Sequence, residues 1–183
     1  MSLADTDLKL LLKALAFAAH KHKDQRRKDV VASPYINHPI ALASILCDQG
    51  EVSDVKVICA ALLHDTVEDT DTTPQELEQE FGPAISDTVM EVTDDKSLSK
   101  RERKRLQIEH AAHISDQAKL VKLADKISNL RDVAMSPPAG WDLGRRQAYF
   151  DWAKQVVDRL RGVHPRLEAV FDETYALRPN GSV

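Results

Sequence analysis

Apolar residues recur along this chain at spacings of three and four, and no run of strict apolar and polar alternation is long enough to read as a strand. The pattern predicts an all-α fold. Leu8, Leu11, Leu12, Leu15 and Ala19 form one stripe of a first helix over residues 5–21, expected to be mostly core. Residues 22–37 change character: Lys23, Arg26, Arg27 and Lys28 precede Ser33-Pro34-Tyr35, and Pro34 forbids a continuing helix, so a basic loop is expected. A second helix starts near His38-Pro39 and ends at Gly50, and a third is expected over residues 54–67.

Thr73-Pro74-Gln75-Glu76 is a capping box with proline at the first helical position, and Phe81-Gly82-Pro83 closes the short helix it opens. An apolar segment over 84–92 leads to the polar break Thr93-Asp94-Asp95. Ser99-Lys100-Arg101-Glu102 is a second capping box, for a helix to about Ile114 with a strongly basic exposed face. Asp116 is expected to cap a helix over 117–134, ended by Ser136-Pro137-Pro138. An amphipathic helix over 142–161 is stopped by Gly162 and Pro165, and a last helix fades into a tail at 178–183.

A chain of 183 residues fits one domain, with a core over about 5–177 and enough length to bury it. With 43% hydrophobic and 30% charged residues it reads as an ordinary soluble protein rather than a disordered one. Asp5, Asp7 and Lys9 interrupt the first leucines, so no signal peptide is expected, and no apolar run reaches the roughly 20 residues of a membrane span. Cys47 and Cys59 lack CxxC spacing and are expected to be small buried core residues of a reduced, cytoplasmic protein. A net charge of −4 argues against broad nucleic-acid binding, although a locally basic cleft can still hold an anion.

The candidate chemistry lies in His38, the pair His64-Asp65, and Asp125, each in or at the edge of a predicted helix. Two imidazoles and two carboxylates suit one divalent ion such as Mn²⁺, whereas a structural zinc site would include thiolates. Taken singly, each is more often a core histidine or a surface charge; the combination overturns that. On a continuous helix His64 and Asp65 point about 100° apart, so His38 and Asp125 must close the shell. Glu68 and Asp69 follow Asp65 by three and four, on its face, and are candidates for general acid–base work on a water acidified by the ion; an acidic helix exit is the plainer alternative.

Lys122, Asp125 and Asn129 share one stripe, with Lys122 a candidate for phosphate and Asn129 for sugar or base. Arg27, Lys28 and Tyr35 bring cations and a ring upstream of His38. Arg101, Arg103, Lys104 and Arg105 read as a solvated face, and Lys100 beside the cap is the better phosphate candidate. His20, His22, His110, His113 and His164 have no acidic companions and no assigned role. No Gly-rich phosphate loop is present.

Four segments carry a family resemblance: Arg26-Arg27-Lys28-Asp29, Pro34-Tyr35-Ile36-Asn37-His38-Pro39, Ala60-Ala61-Leu62-Leu63-His64-Asp65-Thr66-Val67-Glu68-Asp69-Thr70, and Leu120-Val121-Lys122-Leu123-Ala124-Asp125-Lys126-Ile127-Ser128-Asn129-Leu130-Arg131-Asp132. With Glu91-Val92-Thr93-Asp94-Asp95-Lys96 and Tyr149-Phe150-Asp151-Trp152, they resemble the hydrolase domain of the Rel/SpoT family. The likeness is greatest to its stand-alone small alarmone hydrolases, the animal SpoT homologue among them. It implies an all-α HD metallohydrolase domain with one Mn²⁺ held by His38, His64, Asp65 and Asp125, and Glu68 and Asp69 as hydrolytic carboxylates. Arg27, Lys28 and Asn129 would surround the nucleotide, and Tyr35, Lys100, Arg145 and Tyr149 would line its phosphates.

The implied reaction, part of stringent-response chemistry, is hydrolysis of the 3′-pyrophosphate of (p)ppGpp to GDP or GTP plus pyrophosphate. The substrate is a small nucleotide, with neither nucleic acid nor membrane as partner, and hydrolysis is expected to be constitutive. Val30-Val31-Ala32-Ser33 lacks the glycine that relatives commonly carry ahead of Pro-Tyr, which restricts the loop holding Arg27 and Lys28. Alternatives on the same site are NADPH 2′-phosphatase activity, adenine alarmone hydrolysis, and a catalytically silent nucleotide-binding module.

Overall fold

The first helix buries a different face from the one its leucines mark. In the computed structural model, which describes residues 5–180, α1 (Asp5–Lys21) packs on α3 (Val55–Leu63) through Ala14 and Ala18, both fully buried. Leu8 and Leu12 are 45% and 55% exposed instead. Two alanines four apart allow close approach to the apolar run Val57–Leu63, every residue of which is buried, while Leu11, Leu15 and Phe17 flank the contact.

The basic segment after α1 is irregular, as expected, and contains an isolated bridge between Arg26 and Pro34. Helix α2 (Asn37–Ser44) continues as a wider π-helical turn, Ile45–Gln49, and stops at Gly50. A Cβ on Gly50 would lie 2.8 Å from the Leu46 carbonyl oxygen and 2.9 Å from Leu167 Cδ2, so only glycine fits against the C-terminal helix. Cys47 faces outward from this turn, against expectation, because the wider turn directs Ile45 and Leu46 to the core in its place; Cys59 is buried.

Helix α3 ends at Leu63, four residues short of its expected end at 67. The His64 ring Nδ1 donates to the Ala61 carbonyl (2.8 Å) and the Thr66 hydroxyl to the Leu63 carbonyl (2.7 Å). Side chains thus satisfy carbonyls that the next backbone N–H groups would otherwise take. Asp65 leaves helical geometry (φ −101°, ψ 0°), and a single turn, α4 (Thr66–Asp69), follows.

Both N-caps form: Thr73 accepts from the Glu76 N–H ahead of α5 (Pro74–Phe81), and Ser99 from the Glu102 N–H ahead of α7 (Lys100–His110), while the two carboxylates that would complete the boxes pair with Lys21 and Arg105 instead. Between them runs α6 (Pro83–Val92). Helix α7 stops at His110 rather than Ile114, since the chain turns to place Ser115, whose N–H and hydroxyl bond the Glu91 carboxylate at 2.5 and 2.7 Å. Ser115, not Asp116, then caps α8 (Asp116–Met135), accepting from the Ala118 N–H. Asp142 caps α9 (Leu143–Asp158), which ends three residues early. His164, left without a role by the sequence, caps α10 (Pro165–Tyr175) by accepting from the Leu167 N–H.

Helix α8 is the axis of the fold, packed by α2, α3, α6, α9 and α10, and its Leu123, Ile127 and Leu130 sit in one core cluster with Leu42, Leu63, Phe150 and Phe171. Among the described residues no helix is long and apolar enough to cross a membrane. The last residues of the expected tail, 181–183, lie outside the described residues.

Candidate active site

Interruption of the helix at residues 64–65 is what lets two consecutive side chains face one point. His38 enters from the first turn of α2, His64 from the end of α3, and Asp65 from the non-helical junction. One donor atom from each lies within 4.8 Å of the others. Asp125 comes from α8, with its Oδ1 3.3 Å from His38 Nε2. Both histidines are buried. His38, His64 and Asp65 thus converge across the interrupted helix end, and Asp125 adjoins them through His38.

The surroundings fix each group. His38 Nδ1 is hydrogen-bonded with the Ser128 hydroxyl at 3.2 Å. His64 Nδ1 is hydrogen-bonded with the Ala61 carbonyl, so in the neutral ring Nε2 would present a lone pair; it is buried, and the Asp65 Oδ2 lies 2.8 Å from it. A lone pair and a carboxylate oxygen in such contact repel unless positive charge lies between them. Burial works against a charged His64, but Asp65, and Asp125 after it, outweigh burial and raise the imidazole to about 9. The donor set and the unpartnered nitrogen fit a divalent cation.

The carboxylates are oriented in turn. Asp125 accepts from Asn129 Nδ2 at 2.6 Å and from Lys126 Nζ at 2.9 Å. Burial opposes its charge, yet Lys126 and His38 hold it well below the usual carboxylate range. Tyr35 donates its phenol to Asp65 and lies 3.4 Å from Asp69 Oδ2. Glu68 accepts from the Asp94 N–H at 3.0 Å and faces Arg103 at 3.6 Å; burial pushes its carboxyl up to about 7. Asp69 is ion-paired with Lys96, and its carbonyl accepts from Gln25.

Two adjoining cavities surround this centre. One of about 320 Å³ is lined by the four candidate ligands, Glu68, Asp69 and Lys122. The other, about 470 Å³, opens between the basic loop and the α8–α9 connection and is lined by Asp132, Pro138 and Trp141. Arg27, Lys28, Tyr35, Asn129 and Tyr149 line both. Arg27 bridges Asn129 Oδ1 (3.3 Å) and the Asp132 carboxylate, and its guanidinium lies over the Tyr35 ring. Lys122 is only 7% exposed and donates to the Val92 carbonyl at 3.1 Å, so its charge reaches the cavity from below. Lys100 and Arg145 line neither cavity; they flank Trp141, at 6.0 and 4.5 Å from its ring centroid.

Several residues at the site escape a reading of the sequence. Lys104, placed there on a solvated face, lies 5.3 and 4.4 Å from the ring centroids of Tyr149 and Trp152, and burial with Lys100, Lys126 and Arg145 lowers its ammonium to about 8. Arg103 turns inward as well, while Arg105 is paired with Glu102 and Glu109, as a solvated face requires. Gln107 lies beneath them on the same side of α7. The signal was available: 100, 103, 104 and 107 form one helical stripe, polar where an apolar one would pack.

Comparison with known proteins agrees with this architecture. The HD-domain family model matches residues 14–148. The chain is 56% identical over 169 residues to guanosine-3′,5′-bis(diphosphate) 3′-pyrophosphohydrolase MESH1 of Danio rerio, covering 92% of this chain and 94% of that protein. It is 55% identical over 168 residues to the Homo sapiens protein of the same name, with 92% and 94% covered. A solved structure of a metazoan ortholog of SpoT that hydrolyzes ppGpp superposes with a TM-score of 0.91 at 49% identity, over 97% of this chain and 98% of that one.

Proposed function

The chain belongs to the HD-domain family, in its stand-alone SpoT-like branch, and on that premise we propose that it is a 3′-pyrophosphohydrolase of guanosine 3′,5′-bis(diphosphate), dependent on Mn²⁺. The observation that carries this reading is the meeting of His38, His64 and Asp65 at one point, with Asp125 behind and Glu68 and Asp69 on the next turn.

His38, His64, Asp65 and Asp125 would hold the ion, and their mix of imidazole and carboxylate favours manganese over a thiolate-seeking metal. When bound, such an ion supplies Lewis-acid polarisation of the phosphoryl group and acidifies water. Glu68, with an affinity for protons near neutrality, accepts the proton of the attacking water. Asp69, held by Lys96 and close to the Tyr35 hydroxyl, keeps that water oriented. The water oxygen bonds the phosphorus as the bond from phosphorus to the ribose 3′ oxygen breaks, the proton taken by Glu68 returns to that 3′ oxygen, and GDP, or GTP from the 5′-triphosphate form of the substrate, leaves with pyrophosphate.

The larger cavity takes the nucleoside. Asn129 and the Arg27–Asp132 pair supply its polar edge, and Trp141 and Tyr149 its stacking faces. Lys28, Lys100 and Arg145, which among the described residues have no carboxylate partner, face the 5′-phosphates, and Lys122 adds positive charge beneath the scissile group.

Two variants separate the roles. Asp125→Asn lowers metal affinity about 10- to 100-fold and activity with it. Glu68→Gln retains the ion and loses about 10²- to 10⁴-fold in kcat. Metal titration by fluorescence quenching alongside turnover distinguishes them; a Glu68→Gln enzyme with an undiminished rate would falsify the assignment of the base.

A further inference from the structure

Glu68 does not hold its own position. Its Oε2 accepts from the backbone N–H of Asp94, in the loop between α6 and α7, at 3.0 Å. Lys96 pairs that loop with Asp69, and at Asp94 itself the side chain is held by Gln107, whose Nε2 donates to Asp94 Oδ2 at 2.7 Å. The other end of the same amide, Gln107 Oε1, accepts from Lys126 Nζ at 3.0 Å, and Lys126 donates to Asp125 Oδ2 at 2.9 Å. Lysine can only donate and carboxylate only accept here, so the amide has one orientation and both ends are used.

We propose that Gln107 is a positioning residue that couples the hydrolytic carboxylate Glu68 to the ligand carboxylate Asp125, acting through Asp94 on one side and Lys126 on the other. The inference rests on Glu68 being the base proposed above. Glutamine is the natural side chain for this place. A glutamate would set a second carboxylate against Asp94, and a lysine or arginine would be repelled by Lys126. Helix α7 has no buried residue and presents a polar stripe to the site, where Gln107 makes hydrogen bonds and Arg103 lies 3.6 Å from the Glu68 carboxylate. An amide that uses both ends transmits a displacement of either partner to the other, and a misplacement of about 1 Å at a reacting group can cost 10²-fold in rate.

The test is a double-mutant cycle between Gln107→Met and Glu68→Gln, with pyrophosphate release from guanosine tetraphosphate as the readout. Gln107→Met keeps the length of the side chain and removes both polar ends. In the wild-type background kcat is expected to fall about 10- to 100-fold with KM changed less than about twofold. In the Glu68→Gln background the same substitution is expected to cost at least about threefold less, because its Glu68 arm is already gone and only the Lys126–Asp125 arm remains. Equal losses in both backgrounds, or a loss confined to KM, overturn the proposal.

If Gln107→Met does not fold, Gln107→Glu carries the same cycle, since it keeps the Lys126 contact and replaces the donor to Asp94 with a carboxylate that repels it. A crystal structure of the variant provides an arm independent of substrate: the Glu68 carboxylate is expected to leave the Asp94 N–H, and its retention there refutes the coupling. A wild-type chain without turnover would overturn the reading of the reaction, and the crystallographic arm would still decide this one.

Discussion

Ala32 adopts φ +51°, in the left-handed region where a Cβ meets the following carbonyl, at the loop that presents Arg27 and Lys28. Asp29 holds it there by accepting from both the N–H and the hydroxyl of Ser33. Ala32→Gly is expected to stabilise the protein by about 1 kcal/mol, or roughly 2–4 °C in Tm; unchanged or lower stability in urea titration would show that the strain is already relieved. Glu68 gives a pH signature. A base works only as carboxylate and burial raises this one to about 7, so kcat/KM is expected to fall as pH drops through that region, and the limb is absent in Glu68→Gln. At this scale the sequence is most legible where residue type and spacing are both unusual, as in His64-Asp65 with Glu68-Asp69. It is least so at Gln107 and Lys104, because an uncharged amide and one lysine in a basic run look like solvated surface until a helix turns them inward.

Among the elements, starts are readable and interior breaks are not. Thr73, Ser99 and Asp142 cap their helices with the side-chain bonds that their local sequence promises. No glycine or proline marks the break after Leu63; the His64 and Thr66 side chains make it by taking the carbonyls of α3. That break falls at the candidate ligands His64 and Asp65 themselves, so the expected continuous helix missed an interruption within the site. The phase of α1 eluded the pattern for another reason. Leucines occupy nearly every face of its middle turns, and burial is decided by where alanine permits close approach. Ala18→Leu is accordingly expected to cost about 1–3 kcal/mol by overpacking against α3, while Leu12→Gln stays within about 0.5 kcal/mol. Chemical denaturation of the two variants checks the phase, and the reverse order of losses would contradict it.

The molecule as a whole reconciles a net charge of −4 with an anionic substrate by segregation. Acidic pairs face outward on α5, α7 and α10, whereas Lys28, Lys100, Lys104 and Arg145 gather around Trp141, Tyr149 and Trp152, with no carboxylate partner among the described residues. Composition reports only the sum, so this cleft becomes visible once α7 and α9 are set side by side around the axis of α8. The same assembly places the candidate ligands at the floor of the cleft and the carboxylates of α4 beside them, which makes hydrolysis at that floor the central claim. The most direct measurement is to strip the protein of metal, supply guanosine tetraphosphate with and without Mn²⁺, with NADPH in parallel, and follow nucleotide and pyrophosphate by ion-exchange chromatography. The account predicts GDP and pyrophosphate in equal amounts only when the ion is restored; release without the ion, or an unchanged alarmone alongside loss of the NADPH 2′-phosphate, would contradict it.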